Sequence, residues 1–332
     1  MNPLELARLA KAQAVELGFD ACGITDLAPS RHAGALEAWL AEGRHGEMTY
    51  MSRQASRRQH PAEVWLEARS VVVVLHNYYS APSLRGTPYK VAAYAQDVDY
   101  HSVMGEKLRR LGVAITTAAG SGAFKTYVDS GPLPERELAS RAGLGWLAKN
   151  TMLIHPRLGS FTFIGSVLTD LELGRDEPFE ADRCGTCTRC LEACPTDAFP
   201  APHVLDATRC ISYLTIEARA DVPGYLRAGV GDHLFGCDIC QDVCPWNVSF
   251  ARETGEPRYR PRPASYWPSL EQILRMSEED FDRLFGDSAI ERSRLPGLQR
   301  NARVVLENQQ RNVPGGKTPP LHRAQNVEGT GT

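Results

Sequence analysis

Along the first 175 residues the apolar positions alternate between two periods. Residues 4–17 (LELARLAKAQAVEL) carry Leu4, Leu9 and Leu17 among the apolar positions of an amphipathic helix, and Gly18 is suited to end it. Residues 35–41 read as a second helix. The run at 70–75, SVVVVL, is unbroken and β-branched, the pattern of a strand covered on both faces. Residues 99–111 read as a helix, 113–117 as a strand, 124–128 as a short strand and 135–143 as a helix. Two further strands, 151–154 and 161–168, are joined by a turn at 156–159. Such a mixture implies an α+β sandwich, with α/β as the neighbouring possibility.

The pattern changes after residue 173. Residues 173–183 (LGRDEPFEADR) form a polar linker, 184–250 a cysteine-rich unit, and 251–268 an aperiodic stretch holding five Pro or Gly. Two helices are expected at 270–276 and 278–284 and a third at 298–308, while 312–332 reads as a disordered tail. The expected division is therefore 1–175, 176–250, 251–311 and 312–332. A chain of 332 residues has room for two or three such units.

Composition narrows the classes. Hydrophobic residues at 42% and charged residues at 23% suit a globular chain with a sizeable core and exclude wholesale disorder. A net charge of -3 argues against non-specific coating of nucleic acid but leaves room for a local basic patch. Two such patches are visible: Arg53, Arg57 and Arg58, and Arg292, Arg294, Arg300 and Arg303, although runs of this kind are often only solvated faces. No apolar run approaches the roughly 18–20 residues of a membrane helix. The chain opens MNPLE, with neither a secretory nor a twin-arginine leader, so a cytoplasmic location with no membrane partner is expected.

The cysteines carry the chemistry. Eight of the nine fall within residues 184–244. In a reducing compartment such crowding indicates metal ligation, not disulfides. Cys184-x2-Cys187-x2-Cys190-x3-Cys194-Pro195 is the bacterial ferredoxin run for [4Fe–4S] clusters, whose last cysteine serves the other cluster. A second run, Cys237-x2-Cys240-x3-Cys244-Pro245, lacks its first member: Leu234 stands there, and Cys210 is the spare. Exchange of the last cysteines groups Cys184, Cys187, Cys190 and Cys244 on one cluster, and Cys194, Cys210, Cys237 and Cys240 on the other. A pair of zinc sites is the alternative for CxxC spacing, but two CxxxCP endings are not zinc-ribbon features. Cys22 stands alone in an apolar context and reads as a packing residue.

Nothing else declares a cofactor. Gly120-Ser121-Gly122 and Gly143-Leu144-Gly145 lack the third glycine of a dinucleotide fingerprint. Asp99-x-His101 approaches the Asp-x-His-x-x-Gly pattern that supplies an axial histidine to cobalt, but the glycine, Gly105, comes one place late. Asp99 reads more readily as the cap of the following helix, with His101 on its first turn.

Several segments taken together resemble the epoxyqueuosine reductase family. They are GEMTYM (46–51), DYH (99–101), YVDSGP (127–132), AGLGW (142–146), KNT (149–151), LTDL (168–171), both cysteine runs and GLQRNA (297–302). The resemblance runs in order from about residue 4 to 310. It implies a nitroreductase-like cobalamin-binding domain, a ferredoxin-like module with two [4Fe–4S] clusters and a small helical C-terminal region. It implies reduction of the epoxide of epoxyqueuosine at the tRNA wobble position to give queuosine and water, with electrons from an external low-potential donor. A monomer is expected.

The same resemblance places Asp129 as the proton donor and a cobalamin contact. Asp129 follows a strand, and an apolar surrounding would keep its carboxyl protonated. His101, Lys149, Asn150 and Thr215 are the other expected cobalamin contacts, Thr215 because it lies just after Cys210. Glu135 and Arg136 open the next helix, where a first-turn role competes with function. Trp146, Trp246 and Trp267 could stack a base, with core packing as the plainer role. Two other classes stay open. A corrinoid reductive dehalogenase would share the equipment. A non-catalytic iron–sulfur carrier would leave the first domain without a task.

Overall fold

Alternation inside one run of residues sets the architecture. In the computed structural model, which describes residues 1–80 and 87–311, Ser70–Asn77 is a strand with every residue buried. Val72 and Val74 enter one apolar cluster, and Val71, Val73 and Leu75 enter another on the opposite face. A strand with both faces covered has no polar side, which is why the run is unbroken. It lies inside a four-stranded antiparallel sheet in the order Ala21–Thr25, Ser70–Asn77, Thr162–Thr169, Phe124–Tyr127.

Two helices cover the first face. Pro3–Glu16 starts with a capping box between Asn2 and Glu5 and buries Leu6, Ala7, Ala10 and Ala14. Tyr100–Ala119 is capped by Asp99, whose carboxylate accepts the His101 N–H. That helix swallows residues 113–117, which the β-branched pattern predicts as a strand. Leu108, Leu111 and Ile115 are buried and continue the helical period, and Val113 faces outward. Packing of that stripe outweighs a helix propensity deficit of at most ~0.7 kcal/mol per residue. Gly120, in the left-handed region, ends the helix. The second face carries Glu135–Arg141 with Leu133, Leu138, Ala139, Ala142 and Leu144. Cys22 packs against the first-face cluster, and burial pushes its thiol up to about 12.

The two strands expected at 151–154 and 161–168 both form, but they do not pair with each other. Leu153–Ile154 pairs with Trp146–Leu147, and Thr162–Thr169 joins the main sheet. The turn between them is locked by the His155–Gly159 bridge.

The cysteine-rich stretch is built from short helices, Arg189–Glu192, Ile211–Ile216, Gly224–Val230, Ile239–Asp242 and Pro245–Phe250. Its strand His233–Phe235 pairs in parallel with Lys90–Val91 from the first region. Tyr89, Val91, Leu234 and Phe235 then share a core with Trp267 and the helices Leu270–Arg275, Glu278–Phe285 and Arg294–Gln310. Residues 251–268 run as an irregular strap interrupted by two 3-10 turns. Thr254 Oγ1 donates to the Asn77 carbonyl, and Glu256 meets the ammonium of Lys107 at 2.5 Å. Burial opposes ionising Glu256, but Arg258 and Lys107 outweigh it and hold the carboxyl down at about 2. The expected tail, 312–332, lies outside the described residues. Among the described residues, no helix is long and apolar enough to cross a membrane.

Candidate active site

Asp129 sits at the end of the strand Phe124–Tyr127, one residue past Val128. Its backbone is in the left-handed region, φ 54°. Aspartate tolerates that conformation better than most residues, yet it is uncommon and clusters at functional sites. The conformation is held from both sides. The Asp129 N–H donates to Glu135 Oε1 at 3.0 Å, and the Ser130 N–H folds back to the Val128 carbonyl. As a result the carboxylate, 70% accessible, projects beside a cleft of about 180 Å³ lined by His101, Gly105, Thr126, Tyr127, Val128 and Ser130.

His101 ties this loop to the long helix. Its Nδ1 lies 2.8 Å from Asp99 Oδ1 and its Nε2 3.8 Å from Asp129 Oδ2. The ring stacks on Tyr100 at 4.1 Å, and Tyr100 stacks on Phe163 of the central sheet at 4.2 Å. Burial opposes charging the imidazole, but the two carboxylates outweigh it and push His101 up to about 9. The imidazolium in turn holds the Asp129 carboxyl below its ordinary range, against the desolvation of the cleft. The expectation of a protonated Asp129 is therefore corrected: a cation faces it, and the proton of the pair rests on His101. Glu135 moves the other way, pushed up to about 8 by burial and by the charge of Asp129.

The thiols gather around two centres. Cys184, Cys187, Cys190 and Cys244 line one cavity of about 190 Å³ with Ala148, Ile154 and Trp246. Trp146 points its indole N–H at Cys184 Sγ, 3.5 Å away. Burial, then mutual repulsion with Cys244, Cys184 and Cys187, pushes the Cys190 thiol up to about 11. Cys194, Cys210, Cys237 and Cys240 act on one another in the same way: burial raises Cys210, Cys237 and Cys240, and their neighbouring thiols add to it. Half-buried thiols crowded in this way ionise together most readily around a compensating cationic centre, which is the chemistry of a metal–sulfur cluster. Among the described residues no three His, Cys, Asp or Glu converge as tightly as a single ion needs; the first four thiols instead surround an open cavity.

The remaining expected contacts fall on the cysteine loops. Lys149 Nζ donates to the carbonyls of Gly185 and Cys187, at 2.6 and 3.1 Å. Asn150 is buried, with Nδ2 donating to the Cys240 carbonyl at 3.2 Å. The two residues thus tie both cysteine runs to the first region. Thr215 is fully buried; its Oγ1 donates to the Ile211 carbonyl and accepts the Gly236 N–H, one residue before Cys237. Its hydroxyl is spent inside the fold. Arg300 is also buried and donates to the carbonyls of Leu214, Ala218 and Ala220, so it is withdrawn from the basic patch. Arg292 is paired with Glu217, and Arg303 is exposed.

Three residues that sequence reasoning did not assign complete the picture. Tyr100 supplies the stacking base for His101, Asp238 accepts the Ala93 N–H and so joins the cysteine stretch to the first region, and the Tyr94 hydroxyl is raised by burial and then by the charges of Asp129, Asp238, Glu217 and Asp99. Only Tyr100 had a local signal, its place between Asp99 and His101.

The family model described as "4Fe-4S double cluster binding domain" matches residues 183–247, and "Epoxyqueuosine reductase QueG, DUF1730" matches residues 58–130. An epoxyqueuosine reductase of Leadbetterella byssophila is 42% identical over 299 residues, covering 90% of this chain and 97% of that protein. A crystal structure of an epoxyqueuosine reductase with an epoxyqueuosine-modified tRNA-Tyr stem loop superposes with a TM-score of 0.85 at 30% identity, covering 92% of this chain and 82% of that one. A Bacillus subtilis epoxyqueuosine reductase, whose catalytic aspartate loop is swung out of its active site, superposes with a TM-score of 0.82 at 29% identity over the same shares.

Proposed function

The chain belongs to the epoxyqueuosine reductase family and is an oxidoreductase with a [4Fe–4S] double-cluster domain, and on that premise we propose that it reduces the epoxide of epoxyqueuosine at the wobble position of tRNA to queuosine. The observation that carries the reading is the Asp129–His101 pair, a charged couple held in a strained loop at the mouth of a cleft. Opening an epoxide to an alkene and water takes two electrons and two protons. We propose that electrons arrive from a low-potential donor through two [4Fe–4S] clusters and a cobalamin. Cys184, Cys187, Cys190 and Cys244 hold one cluster, and Cys194, Cys210, Cys237 and Cys240 the other.

The groups in and beside the cleft are suited to the polar edge of a cofactor. Besides Asp129 and His101, Arg58 brings a buried Nε with no partner among the described residues, and its charge acts on Glu135. His101, Asp129 and the backbone at 126–130 would hold cobalamin there. Lys149, Asn150 and Thr215 serve it indirectly, by fixing the cysteine loops. When bound, cobalamin supplies a strongly reducing cobalt centre for the carbon–oxygen bond.

The protein's own task is the proton. As the epoxide oxygen leaves it becomes basic and takes the proton resting on the Asp129–His101 pair, the second proton needed for water coming from solvent. Asp129 delivers that proton, and His101, loaded at neutral pH, supplies it. Asp99 fixes the ring from behind, and the Glu135–Asp129 hydrogen bond keeps the loop in its left-handed turn. Substitution Asp129→Asn tests the reading: iron and corrin content should stay as in the parent protein, while turnover of epoxyqueuosine-containing tRNA falls by about 10²–10⁴-fold. Parental turnover in that variant would refute the proton role.

A further inference from the structure

Three segments far apart in the chain meet within electrostatic reach of Asp129. From 46–51, the Glu47 carboxylate takes the backbone N–H groups of Arg219 and Ala220, at 2.7 and 3.3 Å. Arg219 in turn donates to the carbonyls of Ser293 and Arg292, both at 3.0 Å. The turn gripped in this way carries Arg294 at φ 58° and ψ 161°, a conformation almost reserved for glycine. Strain of that kind gathers at sites that bind or react.

What the strained turn presents is Arg292. Its guanidinium lies over the Tyr50 ring, 5.8 Å from the centroid. Its Nε and Nη2 donate to Glu217 Oε1 and Oε2, at 3.0 and 2.9 Å. One face is backed by a ring and one edge is locked by a carboxylate, yet the side chain stays 54% accessible. The Asp129 carboxylate reaches both groups. It adds to Glu217 in raising Arg292, and to burial and Glu217 in pushing the Tyr50 hydroxyl up to about 12. The charges here do not make a phosphate patch, because Arg219, Arg292 and Arg294 are matched by Glu47, Glu217 and Glu291. What remains is a flat, weakly hydrated plane held rigid beside the cleft. Such a plane suits the π-face of a nucleobase, which stacks on guanidinium and aromatic groups whatever the base.

A modified base that enters the cleft has to leave its stack, and its neighbour in the RNA loop then loses a stacking partner. We propose that Arg292, backed by Tyr50 and locked by Glu217, is the platform on which a nucleobase next to the epoxyqueuosine nucleotide stacks. The proposal rests on the reading of tRNA as the substrate. It makes Arg292 a positioning residue: it holds the loop open and touches no reacting atom.

The test measures binding, without reductant, of fluorescently labelled anticodon stem loops carrying epoxyqueuosine to the iron- and cobalamin-loaded full-length chain. Arg292→Ala and Arg292→Lys should both bind about tenfold more weakly, since lysine keeps the charge but has no plane. The slope of log affinity against log salt should stay parental in both, because no phosphate contact is lost. A loop made abasic on one side of the modified nucleotide should lose the same factor with the parent chain, and the variants should lose nothing more on that loop. Parental affinity in Arg292→Lys would assign the charge and not the plane to the complex, and would overturn the proposal. A flattened salt slope in Arg292→Ala would assign the residue to a phosphate and also overturn it. So would abasic losses that add in full to the variant losses on both sides of the modified nucleotide. A parent chain that binds none of these loops would instead overturn the tRNA reading on which the proposal stands.

Discussion

At the scale of single residues, the site depends on one proton and the groups that hold it. His101 is raised to about 9 from an ordinary value of 6.5, so what its charge adds to the fold is complete below about pH 6.5 and is lost as pH rises through about 9. Asp129 is lowered, so its contribution is present above its unfolded value of 3.8 and is lost as pH falls through its folded value. The loaded pair therefore exists across neutral pH, and turnover should decline as pH passes about 9. His101→Gln should lower turnover and remove that alkaline limb. A pH–rate profile of the two proteins checks this; an unchanged limb in the variant would assign it to another group. The left-handed turn at Asp129 adds a second handle. Removal of the Glu135 carboxylate that accepts its N–H leaves an uncommon backbone conformation less supported.

At the scale of elements, close approach and buried cations set the tolerances. Gly112 lets the long helix lie against the Phe124 ring, with which any Cβ there would collide. Gly112→Ala should cost about 1–3 kcal/mol of stability by overpacking, read from chemical denaturation. Arg300 is more demanding, because its guanidinium satisfies three backbone carbonyls at the end of the helix that follows Cys210. Arg300→Ala should lower the melting temperature, at about 1–3 kcal/mol for each buried group left unpaired, and leave tRNA affinity of the folded fraction unchanged. These two positions also mark how far the chain is legible. The centre of the strand Ser70–Asn77 could be read directly because the unbroken apolar run 71–75, mostly β-branched, suits a strand covered on both faces. Residues 113–117 could not, because β-branched composition and helical period conflict there and tertiary packing decides. The double-cluster domain at 183–247 was legible because the spacing within each cysteine run is short-range. The work of Lys149, Asn150, Thr215 and Arg300 was not, since each depends on carbonyls brought from distant parts of the chain.

At the scale of the whole molecule, the first region and the cysteine stretch are joined through backbone groups, with Asp238 on Ala93, Asn150 on Cys240 and Lys149 on Cys187. Each thiol group therefore has a fixed place relative to the cleft. Cys210→Ala should remove one cluster and leave the other, taking iron from roughly eight atoms per chain to roughly four, and Cys244→Ala should do the same at the other cavity. Unchanged iron in either variant would reject the corresponding ligand set. In the proposed reaction this chain turns an epoxide in tRNA into an alkene with reducing equivalents that pass through its clusters. The most direct measurement is anaerobic conversion of epoxyqueuosine-containing tRNA by the iron-loaded protein with cobalamin and a strong reductant, followed by nucleoside analysis. Queuosine should form with the parent protein and should not form without cobalamin. Epoxyqueuosine left intact by an iron-loaded, corrin-bound chain would contradict the proposed reaction.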